Sequence, residues 1–468
     1  MAEYKKVYLI ILIITSLATH FLFFGQPRET VFDEVHFGKF ISGYFTHEYF
    51  FDIHPPLGKL LISGVGYVSG FEPGFSFAQI GQQFPDNTYL WLRLLPTIAG
   101  MLLPIVVYFL ILQLGMSRLA AFVGGMLVVL ENATLVQSRF ILLDSLLLLF
   151  GFSALLFYFF YHPPAQHRMS YKWGYLLLSG ILSSLAISVK WTGASFLAII
   201  GMLYLIDWLN SEKKLIHLIR GVAFLFFVPV VIYFSIFALH FSLLTKSGPG
   251  DAFMTPTFRK TLTGSTDSKN PDLKPLNIFE KFKELNFQMY RSNAGLAAGH
   301  PYSSKWYTWP FMIRPIYYWN QSPNDKVQMT NGGQQSKIYF LGNPVIWWTS
   351  TIAMFFLIIS LIAQIFRRAL SKIIKMRIPV LLAGAYFLNI LPFVGIRRAM
   401  FLYHYLIGLI FAIIALVYLL DRLPNKKRAF IALLIVSIAA FVFFMPLTYG
   451  LPLTEKLYNL RVWLQTWL

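Results

Sequence analysis

An adjacent pair of carboxylates, Asp33 and Glu34, is the strongest candidate for catalytic chemistry in this sequence. The pair lies in the segment FDEVHFG, residues 32–38, just beyond a long apolar run. One carboxylate of such a pair can act as a general base, while the like charge of the other tunes its pKa. The alternative is an acidic pair exposed to solvent in a loop. The residues alone do not decide which carboxylate would be the base.

A second polar segment, FDIHPPLGK (residues 51–59), follows in the same region. His54 precedes two prolines, and it is therefore expected in an extended conformation, because the residue before proline avoids the helical region. With Lys59 nearby, a rigid imidazole suits binding of a phosphate at the membrane surface. A loop histidine without any role is the alternative. A metal site that combines His36 or His54 with Asp33 is a further alternative.

Several ionisable residues interrupt apolar segments further along the chain. Such groups cost about 2.5–3.5 kcal/mol each on insertion into a membrane, so they mark either sites or paired structural charges. Three of them, Glu131, Arg139 and Asp144, are close enough in sequence to bridge a tight hairpin between two spans. Asp144 fits a structural role and a functional role equally well. Arg139 is expected to face a ligand, because two nearby carboxylates would hold it in position. The set is Glu131, Arg139, Asp144, Lys190, Arg397, Arg398 and His404.

A bundle of membrane-spanning helices must position these residues. The 468 residues are 57% hydrophobic and only 13% charged, unlike a soluble domain. The apolar runs have the length of roughly twenty residues that crosses a hydrocarbon core. The first run lacks a small-residue cleavage site and is expected to stay as an uncleaved span. We predict an all-α polytopic membrane protein with about eleven spans, near residues 7–25, 90–113, 119–136, 140–161, 173–189, 191–209, 217–243, 344–366, 379–396, 400–420 and 428–447.

The formal net charge of +19 is explained by where the basic residues lie. They cluster in short segments between spans, which the positive-inside rule places in the cytoplasm. A nucleic-acid partner is not expected, because no folded domain with one basic face is visible. The absence of cysteine excludes disulfides and thiolate chemistry. The clusters are Lys5 and Lys6; Arg118; Arg168 and Lys172; Lys213, Lys214 and Arg220; Arg367, Arg368, Lys372, Lys375 and Arg377; and Arg422, Lys426, Lys427 and Arg428.

Two long segments, about 26–89 and about 244–343, are predicted to lie outside the cytoplasm and to carry the polar site. Amphipathic interfacial helices are expected near 277–297 and 34–50, because their apolar residues recur at helical spacing. The predicted organisation is an N-terminal transmembrane catalytic module (1–243), the second extracytoplasmic loop (244–343) and a C-terminal four-helix module with a short tail (344–468). No internal repeat is visible, so a solenoid has no support in the sequence.

The two polar segments of the first loop resemble the first lumenal loop of the protein O-mannosyltransferases. These enzymes use dolichyl- or polyprenyl-phosphate-mannose and belong to the C-type glycosyltransferase superfamily. The resemblance continues in family order over nearly the whole chain. It is carried by QSRFILLD (137–144), KWTG (190–193), HPYSSKW (300–306), WP (309–310), GNP (342–344) and the segment from Arg398 through FLYHY (401–405).

The resemblance implies transfer of mannose from polyprenyl-phosphate-mannose to Ser and Thr hydroxyls, with inversion at the anomeric carbon. It assigns Asp33 as the base and makes Glu34 a residue that orients the acceptor or supports Asp33. Arg139 is expected to bind the donor phosphate, because a guanidinium can grip two oxygens at once. The further candidates for the phosphate are His54, Lys190 and Arg398.

The second loop is expected to wall the acceptor groove. The alternative is an aromatic belt at the membrane interface, where Trp and Tyr are enriched. Glu131 and Asp144 are assigned supporting roles. The acceptor and loop candidates are His300, Tyr302, Lys305, Trp306 and His404, with Trp309 beside them.

The loop near 244–343 is too short for the folded β-trefoil domain of eukaryotic members, so the chain resembles the bacterial branch. This implies a multi-pass protein of the bacterial plasma membrane with an extracytoplasmic active site. Its acceptors would be secreted or membrane proteins, with Sec export as one route of delivery. No metal or other cofactor is expected. A lipid-linked sugar needs no nucleotide site, in agreement with the lack of a Gly-rich phosphate loop.

The sequence leaves two other functions as alternatives. A related C-type transferase would pass its lipid-linked sugar to a lipid or a glycan on the same architecture. A transporter or flippase would show repeated halves and polar groups near the midplane of the bilayer. The sequence has no such repeat, and its polar residues cluster toward one surface.

Overall fold

Most of the described chain is helical, because a segment in a bilayer must satisfy its backbone polar groups within its own helix. The computed structural model describes residues 4–162, 172–295, 299–321, 334–366, 377–396 and 398–467. The helices are α1 (Tyr4–Phe21), α2 (Glu34–Thr46), α3 (Leu57–Val68), α4 (Tyr89–Gln113), α5 (Arg118–Val129), α6 (Asn132–Ser138), α7 (Asp144–Tyr161), α8 (Trp173–Val189), α9 (Ala194–Leu209), α10 (Lys214–Val222), α11 (Val228–Leu243), α12 (Pro256–Arg259), α13 (Ile278–Gly295), α14 (Pro344–Phe366), α15 (Arg377–Leu388), α16 (Leu406–Leu420), α17 (Lys426–Tyr449) and α18 (Glu455–Asn459).

The helices account for every predicted span. Eight of the described helical segments are long and apolar enough to cross a membrane, and the bent pair of α5 and α6 would make a ninth. Helices α1 and α8 are apolar but shorter, and they coincide with the two remaining predicted spans. The all-α polytopic architecture is therefore confirmed, while the count of eleven stays a prediction.

The third predicted span is broken rather than continuous. Helices α5 and α6 meet at an angle of 60°. Glu131 lies at the break, where its buried carboxylate accepts hydrogen bonds from the Thr134 amide at 2.7 Å and the Asn343 amide at 2.8 Å. It thus caps the new helix, as a carboxylate at a helix start is suited to do. Glu131 is a structural residue in this arrangement.

Two further spans begin later than predicted. The fourth begins at Asp144 instead of residue 140, and the tenth enters through a 3-10 turn, Leu402–Tyr405, before α16. Non-helical backbone at such depth occurs where it is buried in protein or lines a cavity. Both interruptions lie beside residues that the sequence had marked as candidates for a site.

The two long connections are folded units. The helices predicted near 34–50 and 277–297 are confirmed as α2 and α13. Helix α3 and a small antiparallel sheet were not predicted. The sheet has the order β1 (Ile316–Asn320), β2 (Gln335–Phe340) and β3 (Pro452–Leu453), with a bulge between Tyr317 and Trp319.

The first and second loops lie on the same side of the helix bundle, which we call the loop side. The Tyr49 amide donates to the Lys246 carbonyl at 2.9 Å, and the Thr245 amide donates to the His47 carbonyl at 3.1 Å. Gly248 permits this close approach, because a Cβ atom there would lie 2.5 Å from the Tyr49 carbonyl oxygen. The predicted convergence of the two loops is confirmed.

The turns at the other end of the bundle carry basic residues. The turn before α5 meets the turn before α17, where the Asp421 carboxylate accepts from the Ser117 amide at 2.8 Å and pairs with Lys426 at 3.1 Å. Arg118 begins α5, and Arg422 lies in the turn before α17. The assignment of this end to the cytoplasm stays a prediction. The cluster residues Arg168, Arg367, Arg368, Lys372 and Lys375 lie outside the described residues, as does Arg397.

Candidate active site

Asp33 lies at the start of α2 on the loop side, with a carboxylate that is free to bind a substrate. Within the described part of the chain, neither carboxylate oxygen accepts a hydrogen bond, and the side chain is partly buried. Burial raises the pKa of Asp33 to about 7, with Asp144 and Asp52 reinforcing the rise and Lys190 opposing it. Such a group can accept a proton near neutral pH, which is the property required of a general base.

Glu34 has no such freedom. Its buried carboxylate receives both arms of Arg93 at 2.7 Å and also accepts from the Val31 amide at 2.8 Å and the Ile141 amide at 2.9 Å. The fork-to-fork geometry is the strongest form of such a pair. Glu34 therefore holds the first loop against the bundle and supports Asp33 from behind. The alternative in which Glu34 orients an acceptor is not supported, because its oxygens are already occupied.

Asp144 and Lys190 form a second buried ion pair close to Asp33. The Lys190 ammonium lies 2.8 Å from both carboxylate oxygens of Asp144 and 5.0 Å from the centre of the Tyr403 ring. The Gln137 side chain also donates to Asp144, at 2.6 Å. Lys190 occupies the non-helical link between α8 and the next 3-10 turn, Trp191–Gly193. The break in the helices thus exposes its side chain to the interior.

A cavity of about 430 Å³ opens beside this pair. Its polar wall contains His54, Asp144, Lys190, Arg398 and His404, all of which the sequence marked as candidates. Its other walls are apolar and come from three regions of the chain. They include Leu147, Leu148, Leu406, Ile407, Phe393 and Ile396. A cavity with a charged end and an apolar body fits an amphipathic ligand whose anionic group meets the cations.

The charges around the cavity favour one negative group. Among the side chains that line the cavity, Lys190 and Arg398 are basic and Asp144 is acidic, which leaves an excess of one positive charge in the lining. Burial and the nearby cations Lys190, Lys59 and Arg398 lower the pKa of His54 well below its ordinary value, so this imidazole is neutral. Arg398 donates to the side-chain oxygen of Asn293 on α13, which fixes it at the wall.

Arg139 is not at this cavity, and its predicted role as the main phosphate ligand is corrected. Its guanidinium donates to the carbonyls of Leu22 at 2.5 Å and Phe23 at 2.7 Å, just beyond the end of α1. The Tyr449 ring covers it at 4.4 Å. Arg139 also pairs with neither Glu131 nor Asp144, contrary to the expected hairpin bridge. Unpaired carbonyls at a helix end attract cations, so Arg139 is a structural cap.

Lys59 is likewise removed from the phosphate site. Its buried ammonium pairs with Asp52 and donates to the carbonyls of His54 at 3.0 Å and Pro55 at 3.1 Å. An ammonium has three donors, so all of them are used within the protein. Lys59 instead fixes the backbone of the double-proline segment and thereby the position of His54.

Besides Asn293 of α13, the second loop borders the site through its backbone and one buried tryptophan. The Ser304 amide donates to the Met400 carbonyl at 2.7 Å, and the Trp309 ring stacks on His404 with centroids 5.8 Å apart. His300 and Lys305 are exposed, whereas Tyr302 and Trp306 are partly buried. These contacts place the predicted acceptor residues near the segment that enters the cavity. They are compatible with an acceptor wall and with an interfacial belt alike.

Four residues of the site were not predicted as site residues from the sequence. Arg93 had a usable signal, because it is an ionisable residue within the second apolar span. Gln137, Asn293 and Tyr318 carry no charge, and polar or aromatic residues of this kind are common at membrane interfaces. Their roles depend on contacts with distant segments. Among the described residues, no group of three or more His, Cys, Asp and Glu side chains could hold a metal ion; the expected independence from metal stays a prediction.

Comparison with solved structures defines the class of the fold. A chain of the Saccharomyces cerevisiae protein O-mannosyltransferase Pmt1-Pmt2 complex bound to the sugar donor superposes with a TM-score of 0.89 at 22% identity, covering 99% of this chain and 92% of that one. ArnT from Cupriavidus metallidurans bound to undecaprenyl phosphate gives 0.52 at 16% identity, covering 94% and 65%. The fold is that of the C-type glycosyltransferases.

Comparison of sequences defines the family. The dolichyl-phosphate-mannose-protein mannosyltransferase model matches residues 10–245, and the model of the C-terminal four-transmembrane region of protein O-mannosyltransferase matches residues 278–467. The chain belongs to this family. Dolichyl-phosphate-mannose–protein mannosyltransferase 1 of Candida albicans is 38% identical over 251 residues, or 52% of this chain and 28% of that protein. The chain thus spans less than a third of the length of this relative.

Proposed function

We propose that this protein transfers mannose from a polyprenyl-phosphate-mannose to Ser and Thr hydroxyls of exported proteins, with inversion at the anomeric carbon. The observation that carries the proposal is the position of Asp33, whose carboxylate has no hydrogen-bond donor among the described residues, close to the Lys190 and Asp144 pair that lines a charged cavity with an apolar body. Membership of the protein O-mannosyltransferase family supports the same reaction. The Candida albicans relative is named for this activity with the dolichyl donor.

Asp33 acts as the general base in this proposal. It takes the proton of the acceptor hydroxyl while the hydroxyl oxygen attacks the anomeric carbon. The bond between that carbon and the phosphate oxygen breaks, and polyprenyl phosphate leaves with the electron pair. Attack from the face opposite the phosphate converts a β-linked donor into an α-mannosyl product. General-base assistance of this kind contributes roughly 10²- to 10⁴-fold in rate.

The cations of the cavity stabilise the departing phosphate. A donor phosphodiester carries one negative charge, which matches the excess of one positive charge from Lys190, Arg398 and Asp144. Arg398 offers a planar fork suited to two phosphate oxygens. The neutral imidazole of His54 can donate one further hydrogen bond. Fixed charges in a site shielded from water stabilise a developing phosphate strongly, so the mechanism needs no metal.

The apolar walls receive the first isoprene units of the donor. Leu147, Leu148, Leu406 and Ile407 lie on helices that continue into the bilayer. The lipid therefore stays in the membrane while its phosphate reaches the loop side. We place this side outside the plasma membrane of a bacterium, where exported acceptors arrive. The second loop, with Tyr302, Lys305 and Trp306, borders the path of the acceptor.

The test is transfer by the purified chain in liposomes. Polyprenyl-phosphate-mannose that carries a label on its mannose is supplied with a Ser/Thr-rich peptide, with lipid A, or with a glycan. Each reaction is run with and without a chelator. We expect label on the peptide, with an unchanged rate in chelator, and we expect α-mannosidase to release the labelled mannose from it. Label on lipid A or the glycan alone would favour the related transferase activity. No transfer to any acceptor would reject the proposal.

A further inference from the structure

The residue before Asp33 has a backbone conformation that side chains rarely adopt. Phe32 has a φ of +46°, in the left-handed region that favours glycine. Non-glycine residues persist there only when their surroundings hold them, and they cluster at functional sites. Because Asp33 follows directly, the conformation of Phe32 sets the direction in which the Asp33 carboxylate points.

Strand β1 of the second loop holds Phe32 in this conformation. The Phe32 amide donates to the Tyr318 carbonyl at 3.1 Å. The two rings are stacked, with centroids 4.1 Å apart and planes 9° from parallel. The Tyr403 ring closes a third side at 6.5 Å from Phe32. Both Phe32 and Tyr318 are buried, so the contact is shielded from water and rigid.

The other end of Tyr318 reaches the ion pair of the cavity. Its hydroxyl donates to the side-chain oxygen of Gln137, and the nitrogen of the same amide donates to Asp144 at 2.6 Å. Asp144 holds Lys190. A continuous chain of contacts therefore runs from the backbone before Asp33 to a cation of the cavity. It joins the first loop, the second loop and two helices.

We propose that Tyr318 and Gln137 are positioning residues that fix Asp33 relative to the Lys190 and Asp144 pair, and so set the distance between the base and the donor phosphate. The inference rests on the proposed function for what the distance is used for. The Tyr318 ring holds the base, and the Gln137 amide ties that ring to the cation. Neither side chain touches the reacting atoms. A displacement of about 1 Å in such a geometry can lower turnover by about 100-fold.

Replacement of the ring tests the first part of the proposal. Tyr318→Leu removes the stack on Phe32. We expect kcat to fall by about tenfold or more, with the KM for polyprenyl-phosphate-mannose within about threefold of the native value, because the cations themselves remain. Tyr318→Phe keeps the stack and loses only the hydrogen bond to Gln137. Its kcat should therefore lie between that of Tyr318→Leu and that of the native protein.

Tyr339→Phe is the matched control. It removes a hydroxyl from the neighbouring strand β2, where Tyr339 bonds to Tyr458 at 2.9 Å, and it should leave kcat unchanged. Thermal unfolding in detergent identifies any variant that fails to fold. For Tyr318→Leu, a native kcat, or a loss confined to KM, in folded protein would overturn the proposal.

A second readout does not depend on mannose transfer. Carbodiimide couples an amine to protonated carboxyls, and mass spectrometry of the peptide that contains Asp33 follows its coupling as the pH is varied. The native midpoint should lie near pH 7, where burial places the pKa of Asp33. In Tyr318→Leu the loosened carboxylate gains water, and the midpoint should fall by about one unit. An unchanged midpoint would contradict positioning by Tyr318.

The two readouts separate failure of this inference from failure of the proposed function. If the native protein transfers no mannose but the midpoint moves in Tyr318→Leu, the proposed reaction fails and the positioning contact stands. If the native protein transfers mannose while Tyr318→Leu changes neither the midpoint nor kcat, the reaction stands and the positioning role is rejected.

Discussion

Two buried ion pairs flank Asp33, and they differ in how many of their polar atoms are satisfied. In the pair of Arg93 and Glu34, the guanidinium donates to both carboxylate oxygens and to the carbonyls of Gly25, Pro27 and Glu29. A guanidinium has five donors, so this pair is complete. No donor of the Arg93 guanidinium remains to bind a ligand.

The pair of Lys190 and Asp144 is open on one side. The Lys190 ammonium has Asp144 as its hydrogen-bond partner, and both residues line the cavity. Each pair joins one basic and one acidic side chain, and both pairs are buried. The comparison indicates that a buried ion pair is structural when backbone groups satisfy its remaining hydrogen-bonding atoms. A pair that faces a cavity instead remains able to bind a ligand.

Asp33→Asn removes the only group of this region that we assign to proton transfer. Transfer to a Ser/Thr peptide should fall by about 10²- to 10⁴-fold, because an amide cannot accept the hydroxyl proton. Initial rates with saturating donor measure the effect. Glu72→Gln is the matched control, since Glu72 is an exposed carboxylate in the same loop, and it should keep the native rate. Turnover of Asp33→Asn near the native level would remove Asp33 as the base.

Arg93→Met breaks the complete pair. The buried Glu34 then keeps its charge without a cation, and loss of one partner of a buried pair costs about 3–5 kcal/mol. We expect a large drop in the midpoint of thermal unfolding in detergent. The double variant Arg93→Met with Glu34→Gln should recover part of the loss, because no charge remains buried. Equal stability of the native protein and Arg93→Met would show that the pair does not hold the first loop.

Arg398→Ala tests whether the cations of the open cavity bind the donor phosphate. Loss of the guanidinium should lower kcat/KM for polyprenyl-phosphate-mannose by about 10- to 100-fold, the effect of one strong ionic hydrogen bond at roughly 1.5–3 kcal/mol. Arg291→Ala removes an exposed positive charge from α13 nearby and should have little effect.

Arg139→Ala gives the sharper contrast, because the same substitution is made at a cap outside the cavity. Its thermal midpoint should fall, since carbonyls at the end of α1 lose their donor. In the protein that remains folded, the KM for the donor should stay at the native value. A raised KM in Arg139→Ala with a native Arg398→Ala would reverse the assignment of the two residues.

The pH dependence of the rate tests the protonation of Asp33 without any substitution. The base must be deprotonated to accept a proton, and burial raises the pKa of Asp33 to about 7. The value of kcat/KM should therefore rise about tenfold per pH unit below 7 and level off above it. Initial rates between about pH 5 and 9 define the limb. A profile that is flat over this whole range would mean that the pKa lies near the value of about 4 of an exposed aspartate, and it would contradict the burial of Asp33.

The sequence by itself determined the architecture and the identity of the polar residues. Runs of about twenty apolar residues allow only membrane-spanning helices, and these helices formed where the runs lie. The ionisable residues inside the runs, including Asp144, Lys190 and His404, are too unfavourable in a bilayer to lack a partner or a role. The motifs that begin at Phe32 and at Asp52 indicated the family, which the comparisons confirmed.

Only the tertiary structure decided which of these residues are structural. Arg139 and Lys59 carry the same charge as Arg398 and Lys190, yet carbonyls just beyond α1 and in the double-proline segment occupy the first two. Those carbonyls are distant in sequence from Arg139, and every residue has one, so no pattern of side chains reveals the competition. The bends and 3-10 turns that open the cavity depend on the same long-range contacts.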